Sequence, residues 1–277
     1  MTIVADGRDS GFAPTVPVVT AFRPDRGLVQ VVGLLWIYAI YDRVRTQVAG
    51  SASVAVAHAK QIVSTERVLG LNVERALQQA ALHVPWLAAA CNIAYGTTHL
   101  VVPPAVLFVL YRRSPQRYRH WRNVLLVILG MALLCFWLYP LAPPRLVPSS
   151  SHLIDTSATA FSVDHTPVAG WIGSASSSAG LSSAGPTNAY AAMPSLHVAW
   201  AVWASLAIVP VLRRRRSRAA AVLFPAVIVL AVIVTANHWV LDAVGGVALV
   251  GVASAAVTAL EASRARFPIR PTAGVVA

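Results

Sequence analysis

Charge is scarce in this 277-residue chain, and negative charge scarcer still: 12% of the residues are charged and Asp and Glu together number 10. A soluble domain carries about 25% charged and about 45–50% apolar residues. Here 57% are apolar and the mean hydropathy is +0.64, a balance that points to a membrane and rules out intrinsic disorder. Two cysteines, Cys91 and Cys135, are too few for a disulfide scaffold; both lie in apolar runs, where a thiol packs as a small hydrophobe. Lysine is absent except for Lys60, so nearly all of the +12 net charge comes from arginines that need water. No cleavable leader is expected in residues 1–26, which are polar and contain proline rather than running from basic to apolar.

What the chain does have is long apolar runs. A spanning helix takes about 20 mainly apolar residues, and six stretches are candidates, near residues 28–41, 84–111, 123–141, 189–212, 219–237 and 239–261. The expectation is an all-α, integral membrane six-helix bundle. The first stretch is short, and Pro103 and Pro104 in the second predict tilt or a kink. Short loops rich in arginine stay cytoplasmic. The clusters at Arg112 to Arg122, Arg213 to Arg218 and Arg264 to Arg270, with Arg8, Arg23 and Arg26, fall on one side; Arg43, Arg45, Lys60, Arg67, Arg75 and Arg145 fall on the other. Both termini are therefore expected in the cytoplasm, with tails at 1–26 and 263–277 around a membrane domain at 27–262 in the cell membrane. The Arg213 to Arg216 run reads as a topology anchor touching anionic lipid, not as a nucleic-acid site.

Two connections on the extracytoplasmic side are long. Residues 62–82 place Glu66, Arg67, Glu74 and Arg75 among apolar residues at helical spacing, which predicts an amphipathic helix lying on the membrane interface. Residues 142–188 are rich in Ser, Ala and Gly and predict an irregular extracytoplasmic loop. No internal repeat is evident.

Ionisable groups at membrane depth are costly, so each one is a functional candidate. His99, His197 and His238 lie in or at the ends of apolar segments, and Asp242 is the acid well inside one. On this topology His197 sits about two turns into the fourth span, while His238 opens the sixth. His238 and Asp242 are four apart, one face of a helix, and a carboxylate on one ring nitrogen would leave the other nitrogen to react. In Met193-Pro194-Ser195-Leu196-His197, Pro194 suits a first helical turn. The N–H groups there, with Ser195, Leu196 and Arg145, would cradle an anion. Two histidines, one backed by Asp242, beside such a cradle suit phosphoryl transfer through a covalent intermediate. His238 would be the nucleophile, Asp242 its partner and His197 the general acid. No metal or other cofactor is required, although His197, His238 and Asp242 would also suit zinc.

At these residues the chain resembles the type 2 phosphatidic acid phosphatase superfamily, in its branch that includes inositol-phosphorylceramide synthases. Residues 193–198 look like that branch's P-S-L-H motif and residues 237–242 like its final H-x-x-x-D motif; Pro143-Pro144-Arg145 and Asp155 follow the same order. The resemblance implies a six-span enzyme acting on a lipid phosphate or phospholipid at one membrane face, with His238, His197 and Asp242 in the same roles. It also implies Tyr95 and His99, from an N-x-x-Y-x-x-x-H stretch, and Asp155 for the head-group pocket; His99 reads equally well as a buried packing histidine. The chain departs from the phosphatase branch in lacking its lysine, in having Leu196 at a glycine position, and in having Val232 at an arginine position. Fewer cations suit a phosphodiester or call for help from another residue; both hydrolysis of the lipid phosphate and transfer of its phosphoryl or phosphoalcohol group to another alcohol, as in the synthase-like branch, stay open. The competing reading is a proton-coupled transporter or flippase using the same His and Asp residues.

Overall fold

The computed structural model describes residues 24–48, 50–147 and 188–266. Asp155, most of the 142–188 connection, and most of both tails lie outside the described residues. Among the described residues every regular element is a helix. These are α1 (Pro24–Gln47), α2 (Ala52–Val68), α3 (Glu74–Leu82), α4 (Pro85–Arg113), α5 (Pro115–Leu138), α6 (Leu196–Ile208), α7 (Arg215–Val234) and α8 (Val240–Arg266). Short 3-10 turns occupy Pro144–Leu146 and Val209–Val211. The chain forms two units, Met1–Ile40 and Tyr41–Ala277. Of the first, the described residues make the beginning of α1; the second holds every other helix.

Four helices are long and apolar enough to cross a membrane: α4 from Trp86, α5, α7 and α8, of 28, 24, 20 and 27 residues. At about 1.5 Å per residue each spans the roughly 30 Å of a hydrocarbon layer. Ile93, Val101, Phe108, Leu134, Val222, Leu223, Val244 and Val252 are exposed along them, an outward apolar surface that suits lipid rather than water. The helix α4 continues through Pro103 and Pro104, and α7 through Pro225.

The helix α6 is different. It has 13 residues, is apolar on all sides, and packs against α4, α5, α7 and α8, so it is the middle of the second unit. Residues 189–212 were expected to be helical throughout, but the helix begins only at Leu196. Pro194 follows a cis peptide and lies outside the first turn, which Ser195 caps instead.

The expected single helix over 62–82 is two helices. Gly70 takes a left-handed φ of 69°, and the N–H groups of Gly70 and Leu71 donate to the carbonyls of Arg67 and Glu66, a glycine-dependent stop that ends α2. Nor do all its charges face outward, since Glu66 and Glu74 are buried. The helix α2 is also sewn to neighbouring chain. Ala142 N–H donates to Ala55 O, His58 Nδ1 meets Pro140 O, and Trp239 Nε1 donates to Ala142 O in a cluster with Ala55, Ala59, Ile62 and Val63.

Candidate active site

Two chain breaks build the site: the turn between α7 and α8, and the start of α6. In the first, α7 stops at Val234, Ala236 adopts a left-handed φ of 52°, and the N–H groups of Asn237 and His238 both donate to Val232 O at 3.1 and 3.2 Å. A residue with a Cβ gives up about 1–2 kcal/mol in that conformation, and the carbonyl of Ala236 accepts from Arg145 N–H at 3.1 Å. His238 therefore stands in a turn before α8, not on the helix as its spacing from Asp242 suggested. The two side chains still meet, by a different geometry: Asp242, in the first turn of α8, reaches back to the N–H of Trp239 at 2.9 Å as a helix cap. The same carboxylate oxygen lies 3.3 Å from His238 Nδ1, which is also 3.0 Å from Ala192 O. Both partners accept, so Nδ1 carries a proton, and in the neutral ring Nε2 then keeps its lone pair.

At the second break Ser195 caps α6. Its Oγ accepts from Val198 N–H at 3.5 Å, and its own N–H donates to Asp242 O at 2.9 Å, tying the start of α6 to the start of α8. Gly246 permits that approach, since a Cβ there would lie 2.5 Å from Ser195 O and 3.3 Å from Ala199 N. Gly246→Ala should force the two helices apart, cost about 1–3 kcal/mol and lower activity in step; unfolding and turnover in detergent check both. The N–H groups of Leu196 and His197 have no acceptor among the described residues, as expected for the first turn of a helix, and are available to an anion.

His197 is the second residue of α6 rather than two turns inside a span, and this late start brings it beside the turn. Its ring centroid is 5.8 Å from that of His238 and 4.1 Å from that of Tyr95, on which it stacks. His99 meets it edge-on at 4.8 Å and stacks on Trp200. Nε2 of His197 is buried without a hydrogen-bond partner, as is Oδ1 of Asp242. Such atoms call for an explanation, and for His197 a bound oxygen would supply it. The two candidate pocket residues Tyr95 and His99 thus join the histidine pair.

Arg145, half-buried, donates through Nη1 to Asn237 Oδ1, which fixes its guanidinium to the residue before His238. Its Nε is buried without a partner. Val232, at the position where the phosphatase branch has arginine, is buried with Tyr95, Val198 and Ile233, so its side chain lends no charge. Sequence reasoning assigned no part to Asn237 or to the carbonyl of Ala192, and it gave Glu66 and Glu74 no role beyond the polar residues of an interfacial helix. Two of only ten acids set in an apolar helical stretch were the available signal. Among the described residues no group of three His, Cys, Asp or Glu side chains is placed to hold a metal ion, so the zinc reading finds no ligand set.

A family model described as the PAP2 superfamily matches residues 60–256, a span that covers α3 to α7 and most of α2 and α8. The chain belongs to the PAP2 superfamily. Members of this superfamily are generally phosphatases, and the match takes in Tyr95, His99, Arg145, His197, His238 and Asp242. No curated protein and no solved structure matches the chain.

Proposed function

We propose that this PAP2-superfamily protein is an integral-membrane, metal-independent enzyme that moves a phosphoryl or phosphoalcohol group from a lipid phosphate or phospholipid, through a phosphohistidine at His238. The carrying observation is the pair of imidazoles with ring centroids 5.8 Å apart, one of them oriented through Nδ1 by Asp242 and Ala192 O. Nε2 of His238 attacks phosphorus, the bond from phosphorus to the leaving oxygen breaks, and His197 gives that oxygen a proton. In the second half His197 takes the proton of the acceptor, whose oxygen replaces the histidine nitrogen on phosphorus. The N–H groups of Leu196 and His197, with Ser195 and Arg145, hold the phosphate oxygens. Tyr95 and His99 line the head-group side.

Among the described residues Arg145 stands beside the site and the charge of Arg45 also reaches His197 and His99, while Val232 leaves the other cationic position of the phosphatase branch neutral, which supports a substrate of lower charge than a monoester. That favours a phosphodiester lipid and an alcohol acceptor, as in the synthase-like branch. The arginine distribution supports the membrane placement, with six spans including α1 and α6, both termini cytoplasmic and the site facing the extracytoplasmic side. The exposed Val68, Leu69, Val73 and Trp86 around α2 and α3 support a hairpin seated in the membrane interface.

The test offers purified protein a labelled phosphatidylinositol, a diacyl phosphate and a polyprenyl phosphate, with and without a lipid alcohol, and scores free phosphate against new phosphodiester. Turnover of at least one lipid, blocked by vanadate and untouched by EDTA, is expected; loss with EDTA and recovery with zinc would overturn the metal-free chemistry.

A further inference from the structure

Three buried polar side chains outside the reacting groups close on the turn that carries His238. Gln78 Nε2 donates to Val234 O at 2.9 Å, at the end of α7. Glu74 Oε1 accepts from Val240 N–H at 3.1 Å, and Glu66 Oε1 accepts from Leu241 N–H at 2.7 Å. With Asp242 on Trp239 N–H, three successive N–H groups at the start of α8 each meet a carboxylate oxygen. The bonds from Glu66 and Glu74 join residues 175 and 166 positions apart.

Water would satisfy these N–H groups if the turn were on the surface. It is buried instead, and Glu66, Glu74 and Gln78 are at most 2% exposed. A carboxylate taken out of water is unfavourable unless it is bonded, so two of them in α2 and α3 mark a built contact. Burial, then the neighbouring carboxyl of Glu74, pushes Glu66 well above the usual carboxylate range, and this eases the placing of two acids side by side. The glycine stop at Gly70 turns α2 into α3 and lets both acids face the same helix start.

We propose that Glu66 and Glu74 are positioning residues for His238: by holding the N–H groups of Val240 and Leu241 they fix the α7–α8 turn and with it the line of attack of Nε2. The three N–H groups at the start of α8 are already taken by these side-chain oxygens, so the uncapped N–H groups of α6 are the ones left to receive a phosphate. The proposal rests on the reading of His238 as nucleophile.

The experiment uses the full chain in lipid nanodiscs, with Glu66→Ala, Glu66→Gln, Glu74→Ala and Glu74→Gln. Glutamine keeps the accepting oxygen and alanine removes it. Each alanine variant is expected to lose kcat by about tenfold or more with KM changed less than about twofold, since a small misplacement of a reacting group has effects of up to about a hundredfold. Glutamine should recover most of the loss. A merely structural role would not move the second readout, the 15N signals of the His238 ring, assigned by their absence in His238→Ala. They should shift in the alanine variants and return in the glutamine ones. Wild-type kcat and unshifted ring signals in folded alanine variants would overturn the proposal, and so would a rise in KM alone. Where an alanine variant does not fold, Glu66→Asp or Glu74→Asp, which shortens the reach and keeps the carboxyl group, carries the same expectation. If the wild type forms no phosphohistidine, the nucleophile reading fails by itself, while the ring signals still report whether the two acids set the imidazole.

Discussion

His238→Ala is expected to abolish turnover, by about four orders of magnitude or more, because the bond-forming atom is gone and no second step can begin. The wild type, quenched during turnover with labelled substrate, should carry an acid-labile, base-stable label on a histidine; the variant should carry none. The expected fold penalty is bounded. His238 is buried and its Nδ1 serves Ala192 O and Asp242, but Asp242 keeps the Trp239 N–H, and the turn keeps both bonds to Val232 O that involve backbone alone. Removing one buried donor leaves an acceptor unpaired at a cost of about 1–3 kcal/mol, which a lowered melting temperature would register without unfolding the bundle. Undiminished turnover in the variant, or label retained on another histidine, would remove His238 from the nucleophile's place. Retention at His197 would exchange the two roles.

How much of this was legible in the sequence depends on the range of the interaction. The apolar runs that form α4, α5, α7 and α8 are local, and length and hydropathy alone located them, although α5 begins at Pro115, well before the expected start at residue 123, because its first turns are polar. The histidines and Asp242 stood out because ionisable groups are rare in such runs. The errors fell where a backbone-breaking residue overrides periodicity. Gly70 ends α2 inside a stretch whose 3.6-residue pattern continues past it, and Ser195 starts α6 after Pro194 although apolar residues precede both. Spacing correctly joined His238 to Asp242, but for the wrong reason, since the carboxylate reaches back as a cap instead of standing above the ring on a helix. The contacts of Glu66 and Glu74 with α8 and of Arg145 with Asn237 link distant stretches, and nothing in local patterning encodes them.

The same contacts bear on how the site handles charge. An imidazole attacking phosphorus through Nε2 while keeping Nδ1–H becomes cationic, and that charge appears beside Asp242, whose Oδ1 is buried without a partner. A desolvated carboxylate gains most from a neighbouring positive charge when little else satisfies it. The arrangement therefore favours the phosphorylated ring over the free one, which is where stabilisation accelerates the reaction.

Asp242→Asn separates this electrostatic role from the capping role. Asparagine has the same shape, and its carbonyl oxygen can accept from Trp239 N–H and from His238 Nδ1, so α8 should still start at Val240 and the melting temperature should fall only modestly. The charge is lost, and the amide can also turn its NH2 toward Nδ1, which would hold the imidazole in the tautomer with a proton on the attacking nitrogen. The expected result is a kcat lower by about a thousandfold to ten-thousandfold, the scale seen when a histidine's orienting carboxylate becomes an amide, with KM nearly unchanged because no substrate contact is removed. Phosphohistidine should form far more slowly in single turnover. An Asp242→Asn protein that keeps wild-type kcat would make Asp242 a helix cap and nothing more, and His238 would then need another source of orientation, of which the carbonyl of Ala192 is already in place.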